Sequence, residues 1–381
     1  MSITRDDSTL PAIDRESLAL LQLNMIPGIG PRFMSLLLAK FGTAEQVFAA
    51  AGRDLLSING IGPKVSAAIT AASDLAQAQQ EWERCLELNT GLIFRDSPAY
   101  PASLSETSDP PPVLYVRGDL LEQDQLAVAI VGSRRCTHYG RTQAHKIAGS
   151  LARAGVTIIS GLARGIDSCA HKGALEAGGR TIAVCAPGLS TIYPPEHRTL
   201  ADEISAQGAL ITESPLDRKP QRGLFPQRNR IIAGMSLGTV IVEAGRGSGA
   251  LHTARHAMEQ NRDVFAVPGR IDCSASDGCN DLIRDGAILI RNVDDVLEAL
   301  GPLMNPVLSR SDSVVSVPRE LNLNDQEREV LNLIDFAPTP IDTVLAGVEM
   351  ESSRVLSTLT VLEMRRLVRR LPGSHVERTP G

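Results

Sequence analysis

Short apolar runs alternate with longer segments of mixed polarity through the middle of the chain. Most of the runs are rich in β-branched residues and short enough to be buried strands of a parallel sheet. They cover residues 113–116, 127–131, 156–160, 180–185, 209–213, 238–243, 263–267 and 287–290. Helix-like stretches lie between several of them, at residues 140–153, 168–177 and 250–260. This alternation predicts an α/β fold with a doubly wound, mostly parallel sheet.

The N-terminal region, residues 15–75, has the apolar pattern of helices and contains an internal repeat. Ile26–Pro31 (IPGIGP) recurs as Ile58–Pro63 (INGIGP). Glycine permits a tight turn, and proline suits the first turn of the helix that follows. The repeat is typical of the helix-hairpin-helix module, whose backbone N–H groups can hold a DNA phosphate. A small helical domain that binds protein or nothing is the favoured alternative, because Arg32 and Lys64 are the only positive charges nearby.

The C-terminal region has the pattern of a winged helix. Residues 301–319 have the composition of a linker, and residues 323–378 contain three short helix-like segments and a hairpin. In Thr339–Asp342 the threonine is the predicted N-cap of the second helix, with proline at its first position. Residues 367–370 and 375–378 flank a Pro-Gly turn and form the predicted wing.

Winged helices read DNA in some proteins and contact proteins in others. Three acidic residues accompany the third helix, and they favour a protein-contact or regulatory role: Glu349, Glu351 and Glu363. The predicted domains are a helical domain at residues 1–80, an α/β domain at 86–300, a linker at 301–320 and a winged-helix domain at 321–381.

The composition restricts the kinds of function. The chain of 381 residues has a formal net charge of −6, so a polyanion needs a local basic patch. Aromatic residues make up 3% of the chain, which argues against extended base-stacking platforms. The six cysteines show neither a CxxC pair nor zinc-ligand spacing and are interpreted as reduced thiols. No segment has the character of a signal peptide or a membrane-spanning helix, so we expect a cytoplasmic protein.

Two glycine–arginine loops follow predicted strands. The run at residues 127–131 leads into Gly132–Arg134, and the run at 156–160 leads into Gly161–Gly165. In a parallel sheet, such strand-to-helix loops lie at the carboxyl edge, where ligands bind. The helix that follows each loop favours an anion at its N-terminus. The two loops therefore predict a phosphate-binding site.

A third basic segment, residues 218–230, holds five positive charges in an acidic protein. Arginine presents a planar set of donors that suits phosphate. We expect Arg228 to bind the ligand, with Asn229 and Arg230 as further candidates. In the alternative, these arginines pair with core carboxylates such as Glu213 and Glu243.

Six segments of the chain resemble the DNA-processing protein A (DprA/Smf) family. In order they are VGSRRCTHYG, SGLARGIDSCAHKGAL, FPQRNRIIAG, EAGRGSGALHTA, DVFAVPG and GCNDLIRDGA. The resemblance covers residues 95–292, and the two terminal regions match the three-part layout of many members. It implies an extended Rossmann-like domain that binds single-stranded DNA in a basic pocket, forms a homodimer and helps to load the RecA recombinase. Such a protein serves DNA recombination, including natural transformation in competence.

The resemblance also implies which residues contact the strand. Carried over by motif, they are Gly132, Ser133, Arg134, Thr137, Ser160, Gly161, Arg164, Gly165, Phe225, Arg228, Asn229 and Arg230. We expect no catalytic residue, metal or cofactor. The chain departs from the family's motifs in three places. The usual GxGL loop reads Ala186–Leu189, and Pro195 stands where relatives often have a DNA-contacting lysine. In the tail, the usual LELxG reads LEMRR at residues 362–366, so the turn into the wing is expected to differ.

Two other functions remain open. The enzyme alternative is a nucleotide N-glycosidic hydrolase of the same broad fold, since Glu243 ends a strand that contains Thr239, although the PGGxGTxxE spacing of such enzymes is not met. The other is a nucleotide-sensing module without catalysis. Asp167 is assigned to helix capping. His252 and His256 lack the third ligand that a metal site needs.

Overall fold

A computed structural model describes residues 13–301, 307–308, 314–315, 325–335, 337–348, 350, 352–364, 367–371 and 373–379. These residues form two compact units. The first contains the described residues up to Leu120 together with Ile182–Met235, and the second contains Leu121–Thr181 together with those from Ser236 onward. Most of the predicted linker at 301–320 lies outside the described residues, and the predicted domain boundaries stay a prediction.

The described N-terminal residues form a series of helices. They are α1 (Arg15–Met25), α2 (Pro31–Phe41), α3 (Ala44–Ala49), α4 (Gly52–Leu56), α5 (Pro63–Ala71) and α6 (Ala76–Glu87). The two turns of the repeat adopt the same backbone conformation, with φ at 95° in Gly28 and 94° in Gly60. Pro31 and Pro63 are the first residues of the helices that follow. The predicted pair of helical hairpins is therefore confirmed.

Strands and helices alternate through the next part of the chain. They are β1 (Gly91–Phe94), α7 (Ala102–Ser105), β2 (Val113–Gly118), β3 (Ala127–Val131), α8 (His138–Arg153), β4 (Thr157–Ser160), α9 (Ile166–Glu176), β5 (Thr181–Val184), α10 (Arg198–Gln207), β6 (Ala209–Thr212), α11 (Leu224–Gly234), β7 (Gly238–Ile241), α12 (Ala250–Glu259), β8 (Asp263–Ala266), α13 (Asp277–Arg284), β9 (Ile288–Leu289) and α14 (Val293–Leu300).

The strands pair mostly in parallel, as predicted. In the second unit the order is β4-β3-β7-β8-β9, and each of these neighbours is parallel. In the first unit the order is β1-β2-β6-β5. There β5 and β6 are parallel, whereas β2 pairs antiparallel with both β1 and β6. The doubly wound α/β class is confirmed.

The core of the second unit is built on β3, whose residues are all buried. Val128 and Ile130 share one apolar cluster with Ile147 and Leu151 of α8. A strand that is buried on both faces reads as a continuous apolar run, which is why these strands were recognisable in the sequence. Such strands give the loops at their carboxyl ends a rigid base.

The structure adds two local features to the predicted α/β part. The strand at residues 113–116 is not the first, because β1 precedes it and pairs with it. β1 is four residues long and only partly buried, so it gives a weak apolar signal. In addition, the basic segment continues into a helix, α11. Pro226 lies in the first turn of α11, where proline is tolerated.

The C-terminal residues form a winged helix, as predicted. Its elements are α15 (Asp325–Asn332), β12 (Thr339–Pro340), α16 (Ile341–Ala346), α17 (Ser352–Met364), β13 (Val368–Leu371) and β14 (His375–Arg378). Before it, within the predicted linker, β10 (Val307–Leu308) and β11 (Val314–Val315) pair antiparallel. Thr339 is not the N-cap of α16, because it pairs with Val376 in the sheet β12-β14-β13. Pro340 takes the cap position, and the Thr339 hydroxyl accepts a hydrogen bond from the Asp335 N–H at 3.2 Å.

Among the described residues, no helix is both long and apolar enough to cross a bilayer.

Candidate nucleic-acid interface

Two strand-to-helix loops of the second unit pack directly on one another. We call them the GSR loop (Gly132–Thr137), between β3 and α8, and the GLARG loop (Gly161–Gly165), between β4 and α9. The N–H of Ile166 donates to the carbonyl oxygen of Ser133 at 3.2 Å. A Cβ on Gly165 would clash with that same oxygen, and Gly165 has φ at 80°, so only glycine fits this contact. The structure thus brings the two predicted loops together.

Glu243, in the loop after β7, holds the GSR loop in place. Its carboxylate accepts hydrogen bonds from the Thr137 N–H at 2.9 Å and from the Thr137 hydroxyl at 2.6 Å. Its backbone carbonyl accepts from the Ser133 N–H at 2.7 Å. The side chain is buried, with 2% of the residue exposed. Glu243 therefore pairs with Thr137 and not with the arginines named in the sequence-based alternative.

Asp167 holds the GLARG loop in a similar way. One oxygen of this buried carboxylate accepts from the Gly161 N–H at 3.1 Å and from the Ala163 N–H at 3.3 Å. Between these donors, Leu162 is fully buried and adopts a left-handed conformation, with φ at 58°. The carboxylate therefore reaches back from the first turn of α9 to the preceding loop. This corrects its assignment as a helix cap.

Hydrogen bonds within the protein reduce the number of backbone N–H groups in the two loops that could bind an anion. Several loop N–H groups already donate to protein oxygens: those of Ser133, Thr137, Gly161 and Ala163. The Ser160 hydroxyl is also internal, since it is buried and donates to the Ile130 carbonyl at 2.6 Å. Arg134 and Arg164 are exposed, one on each loop. Both loops thus place a guanidinium group at the surface of the protein.

Arg228 and Arg230 lie in α11 of the first unit, and both are buried with 4% exposure. Arg230 forms ion pairs with Glu213 and with Asp109, the latter at 3.3 Å. Burial raises the pKa of the Glu213 carboxyl above its ordinary value, although the neighbouring guanidinium opposes this. Arg228 donates to the Val184 carbonyl at 2.7 Å. Arg230 thus has the carboxylate partner that the sequence-based alternative predicted.

Phe225, at the start of α11, forms an aromatic pair with Tyr193, which lies after β5. The rings of Phe225 and Tyr193 have centroids 5.6 Å apart and are tilted by 53°. Both side chains are partly exposed, as is Asn229 further along the helix. The loop before the helix carries three exposed cations that form no ion pair with a described carboxylate: Arg218, Lys219 and Arg222. The predicted set of contacts omits these three, although the charge run in the sequence was their signal.

Histidine, cysteine and carboxylate side chains were the remaining candidates for chemistry at this surface. Within the described ranges, no group of three or more His, Cys, Asp or Glu is placed to hold a metal ion. The six cysteines are free. Burial raises the pKa of the Cys185 thiol, which follows β5, to about 11, so this thiol is protonated at neutral pH.

The family model described as DNA recombination-mediator protein A matches residues 91–301. The chain belongs to this family. Its flanking regions match two further models, a SAM-like helix-hairpin-helix tandem at residues 20–73 and the DprA winged helix domain at residues 316–374. The resemblance to the DprA/Smf family found in the sequence motifs is confirmed.

Relatives of this family are similar over much of the chain. Protein Smf of Synechocystis is 34% identical, covering 93% of this chain and 97% of its own. The X-ray structure of DNA processing protein A from Streptococcus pneumoniae matches with a TM-score of 0.65 at 34% identity, over 75% of this chain and 98% of that one. A structure of DNA processing protein A from Helicobacter pylori that addresses its single-stranded DNA binding mode matches with a TM-score of 0.51 at 32% identity. The match covers 57% of this chain and 97% of that one.

Proposed function

We propose that the protein binds single-stranded DNA through arginines at the carboxyl ends of its strands and delivers that DNA to the RecA recombinase. The observation that carries the proposal is the packed pair of loops that present Arg134 and Arg164. Buried carboxylates hold both loops before a ligand arrives, so little ordering is needed on binding. The Helicobacter pylori relative, which has a single-stranded DNA binding mode, supports the same ligand here.

The proposed contacts suit a single strand better than a duplex. If about three phosphates are neutralised, the log–log dependence of affinity on salt has a slope near −2 for single-stranded DNA. Phe225 and Tyr193 offer ring faces to an unpaired base, and such stacking contributes roughly 1–3 kcal/mol. A duplex keeps its bases stacked on one another and leaves these rings unused. We therefore expect weak selectivity for sequence and clear selectivity for the single strand.

The predicted contact residues divide into two groups by exposure. We assign direct phosphate contact to Arg134 and Arg164 and add Arg222, because all three are exposed. Arg230 instead fixes α11, since both of its carboxylate partners belong to the protein. The role of Arg228 is carried over from the motif, with its Val184 contact setting the direction of the side chain.

A homodimer through the α/β domain is part of the proposal. β9 is the last strand of the order in the second unit, and its residues Ile288 and Leu289 are 37% and 42% exposed. An edge strand with apolar side chains is a surface that another copy can cover. Leu289→Lys is expected to convert the dimer to a monomer in light scattering at micromolar concentration. A wild-type chain that is already monomeric there would contradict the dimer.

The test of the DNA site is fluorescence anisotropy with an oligo-dT strand. Arg134→Ala and Arg164→Ala are each expected to weaken binding about tenfold, as loss of a charge-assisted contact does. Arg153→Ala is the matched control, because Arg153 ends the same helix, α8, that follows the GSR loop. Unchanged affinity in both loop variants would overturn the site. RecA loading is tested separately, as faster RecA filament growth on strands coated with a single-strand-binding protein.

The hydrolase alternative receives no support from Glu243. This carboxylate is the natural candidate for acid–base work, but both of its oxygens accept hydrogen bonds from Thr137 and the side chain is buried. We propose that the protein binds DNA without catalysis. Release of free base from nucleoside monophosphates, abolished by Glu243→Gln, would contradict this.

A further inference from the structure

A cleft of about 240 Å³ lies within the first unit, at the carboxyl ends of β5 and β6. One wall is the first glycine hairpin, with residues Asn24–Pro31. The other is Ala186 and Glu213–Pro215, which follow the two strands, together with Arg218, Leu224 and Gln227. Ligands of α/β sheets bind at this edge of the strands. The helical hairpin therefore closes over a position where a ligand is expected.

Contacts within the first unit fix the hairpin at this position. The Asn24 side chain donates to the Glu213 carbonyl at 3.1 Å. The buried carboxylate of Glu81, in α6, accepts from the Leu216 N–H at 2.7 Å. Both acceptor and donor partners lie in the loop after β6. Hydrogen bonds therefore hold the two walls of the cleft in place.

The charges around the cleft favour an anion. Its lining has one acid, Glu213, which pairs with Arg230. Asp217 precedes the lining residue Arg218 in the chain and pairs with Arg84. The hydrogen bond from the Arg84 guanidinium holds the pKa of Asp217 below its ordinary value. Arg218 is exposed and forms no ion pair with any carboxylate in the described part of the chain. The cleft is thus left with one available positive charge.

We propose that this cleft takes up part of one nucleotide of the bound single strand, so that the helical domain takes part in binding. Arg218 contacts the phosphate, and the exposed amide of Gln227 contacts a base edge, a pairing for which its donor and acceptor are suited. At about 240 Å³ the cleft is smaller than the pockets of about 300–1,000 Å³ that enclose whole drug-sized ligands, so it takes up part of one nucleotide and leaves little room for a base pair. This inference rests on the proposed single-strand binding and names a part of the chain that takes part in it.

The internal repeat provides a matched pair of variants. Gly30 and Gly62 are the N-caps of α2 and α5, with φ at −101° and −90°. A Cβ at either position meets nothing within 4 Å. Aspartate is a favourable N-cap residue, so neither Gly30→Asp nor Gly62→Asp is expected to lower stability. Of the two glycines, Gly30 lines the cleft.

The experiment measures anisotropy of the full chain with an oligo-dT strand of about 20 nucleotides. Gly30→Asp is expected to weaken binding about fivefold or more, because it places a negative charge beside a phosphate, whereas Gly62→Asp leaves affinity within about twofold. Arg218→Ala weakens binding similarly. Asp217→Asn strengthens it, since Arg84 is released. Thermal unfolding of each variant separates these effects from loss of fold.

The outcomes distinguish this inference from the proposed function. Equal effects of the two aspartates, or an effect of Gly62→Asp alone, would overturn the cleft assignment. If Arg134→Ala weakens binding and Gly30→Asp does not, the inference fails and the proposed DNA site stands. If neither variant weakens binding, the proposed function fails as well.

Discussion

Thr137 donates two hydrogen bonds to the buried carboxylate of Glu243, one from its N–H at 2.9 Å and one from its hydroxyl at 2.6 Å. The same hydroxyl accepts from the Gly140 N–H at 3.2 Å and so caps α8. One side chain therefore joins the start of a helix, the GSR loop and the loop after the neighbouring strand β7. Hydrogen bonds to a charged acceptor are roughly twice as strong as neutral ones. This pair is the main anchor of the GSR loop.

Thr137→Val removes both functions of the hydroxyl while keeping the shape of the side chain. The loss of a hydrogen bond to a buried charged group is expected to lower the free energy of unfolding by about 1.5–3 kcal/mol. Urea denaturation measures this. Trypsin cleavage at Arg134 and Arg135 in the native protein should become faster, because the loop loses its anchor. Thr137→Ser is the control that retains the hydroxyl, and a valine variant as stable as the serine variant would contradict the assignment.

Gly165→Ala tests the packing of the GSR and GLARG loops. The added Cβ clashes with the Ser133 carbonyl oxygen and also occupies a positive-φ position. Gly178→Ala is the matched control, since Gly178 has φ at 73° with nothing within 4 Å of its Cβ position. The control is expected to lose about 1–2 kcal/mol from the unfavourable backbone conformation alone. Gly165→Ala should lose more than this and should also weaken binding to oligo-dT; equal losses of stability would mean that the loops do not depend on their contact.

The sequence predicted the loops better than the groups that hold them. β3 and β4 were recognisable because strands buried on both faces appear as continuous apolar runs, and the loops follow directly from them. Glu243 bonds to a residue 106 positions away, and no local pattern reports such a contact. Its role was therefore open in the sequence, between catalysis and an ion pair with arginine. Asp167 looked like a helix cap because its direction, back toward the GLARG loop, is decided by tertiary packing.

The basic segment shows a different limit of sequence interpretation. Its charge run correctly drew attention to α11, but charge alone does not separate exposed from buried arginines. Arg222 is exposed, whereas Arg230 is buried between carboxylates. Gly223 and Pro226 at the start of α11 obscure in the sequence where the loop ends and the helix begins. Arg222 lies in the loop before α11 and Arg230 lies within the helix, so their places in the fold determine which of them reaches solvent.

Arg230→Ala is expected to destabilise the fold more than it affects the DNA surface. It leaves Glu213 buried without its principal partner, and breaking a buried ion pair costs about 3–5 kcal/mol. Burial already raises the pKa of Glu213, so the native state binds a proton more readily than the unfolded chain does. Glu213 therefore contributes to the free energy of unfolding at low pH, and this contribution is lost as the pH rises through the raised pKa. The deficit of Arg230→Ala should be largest at neutral pH and smaller near pH 5, as measured by urea denaturation.

A control separates the two roles of Arg230. The double variant Arg230→Met with Glu213→Gln removes both charges, and it should recover much of the lost stability. If its affinity for oligo-dT then equals that of the wild type, Arg230 fixes α11 without touching DNA. A tenfold loss of affinity in this stable double variant would instead establish Arg230 as a direct contact.

The cations of the wing are engaged within the winged-helix domain. Arg369 faces Glu377 across β13 and β14 and donates to it at 3.0 Å. Arg370 lies 3.4 Å from the Glu363 carboxylate and donates to the Thr360 hydroxyl at 2.8 Å. A phosphate would have to displace these partners. The domain therefore offers less net positive charge than its arginines suggest, in line with the predicted protein-contact role.

Removing the wing cations is accordingly expected to leave DNA binding almost unchanged. Arg369→Ala with Arg370→Ala should alter affinity for oligo-dT, and for a duplex of the same length, by less than about twofold, since exposed ion pairs contribute only about 0–1 kcal/mol. Anisotropy at two salt concentrations also gives the slope, which counts released counterions and should keep its wild-type value. Arg134→Ala serves as the positive control. A fivefold loss of duplex affinity, with a shallower salt slope, would show that the wing binds the DNA backbone, because only direct phosphate contacts change the number of counterions released.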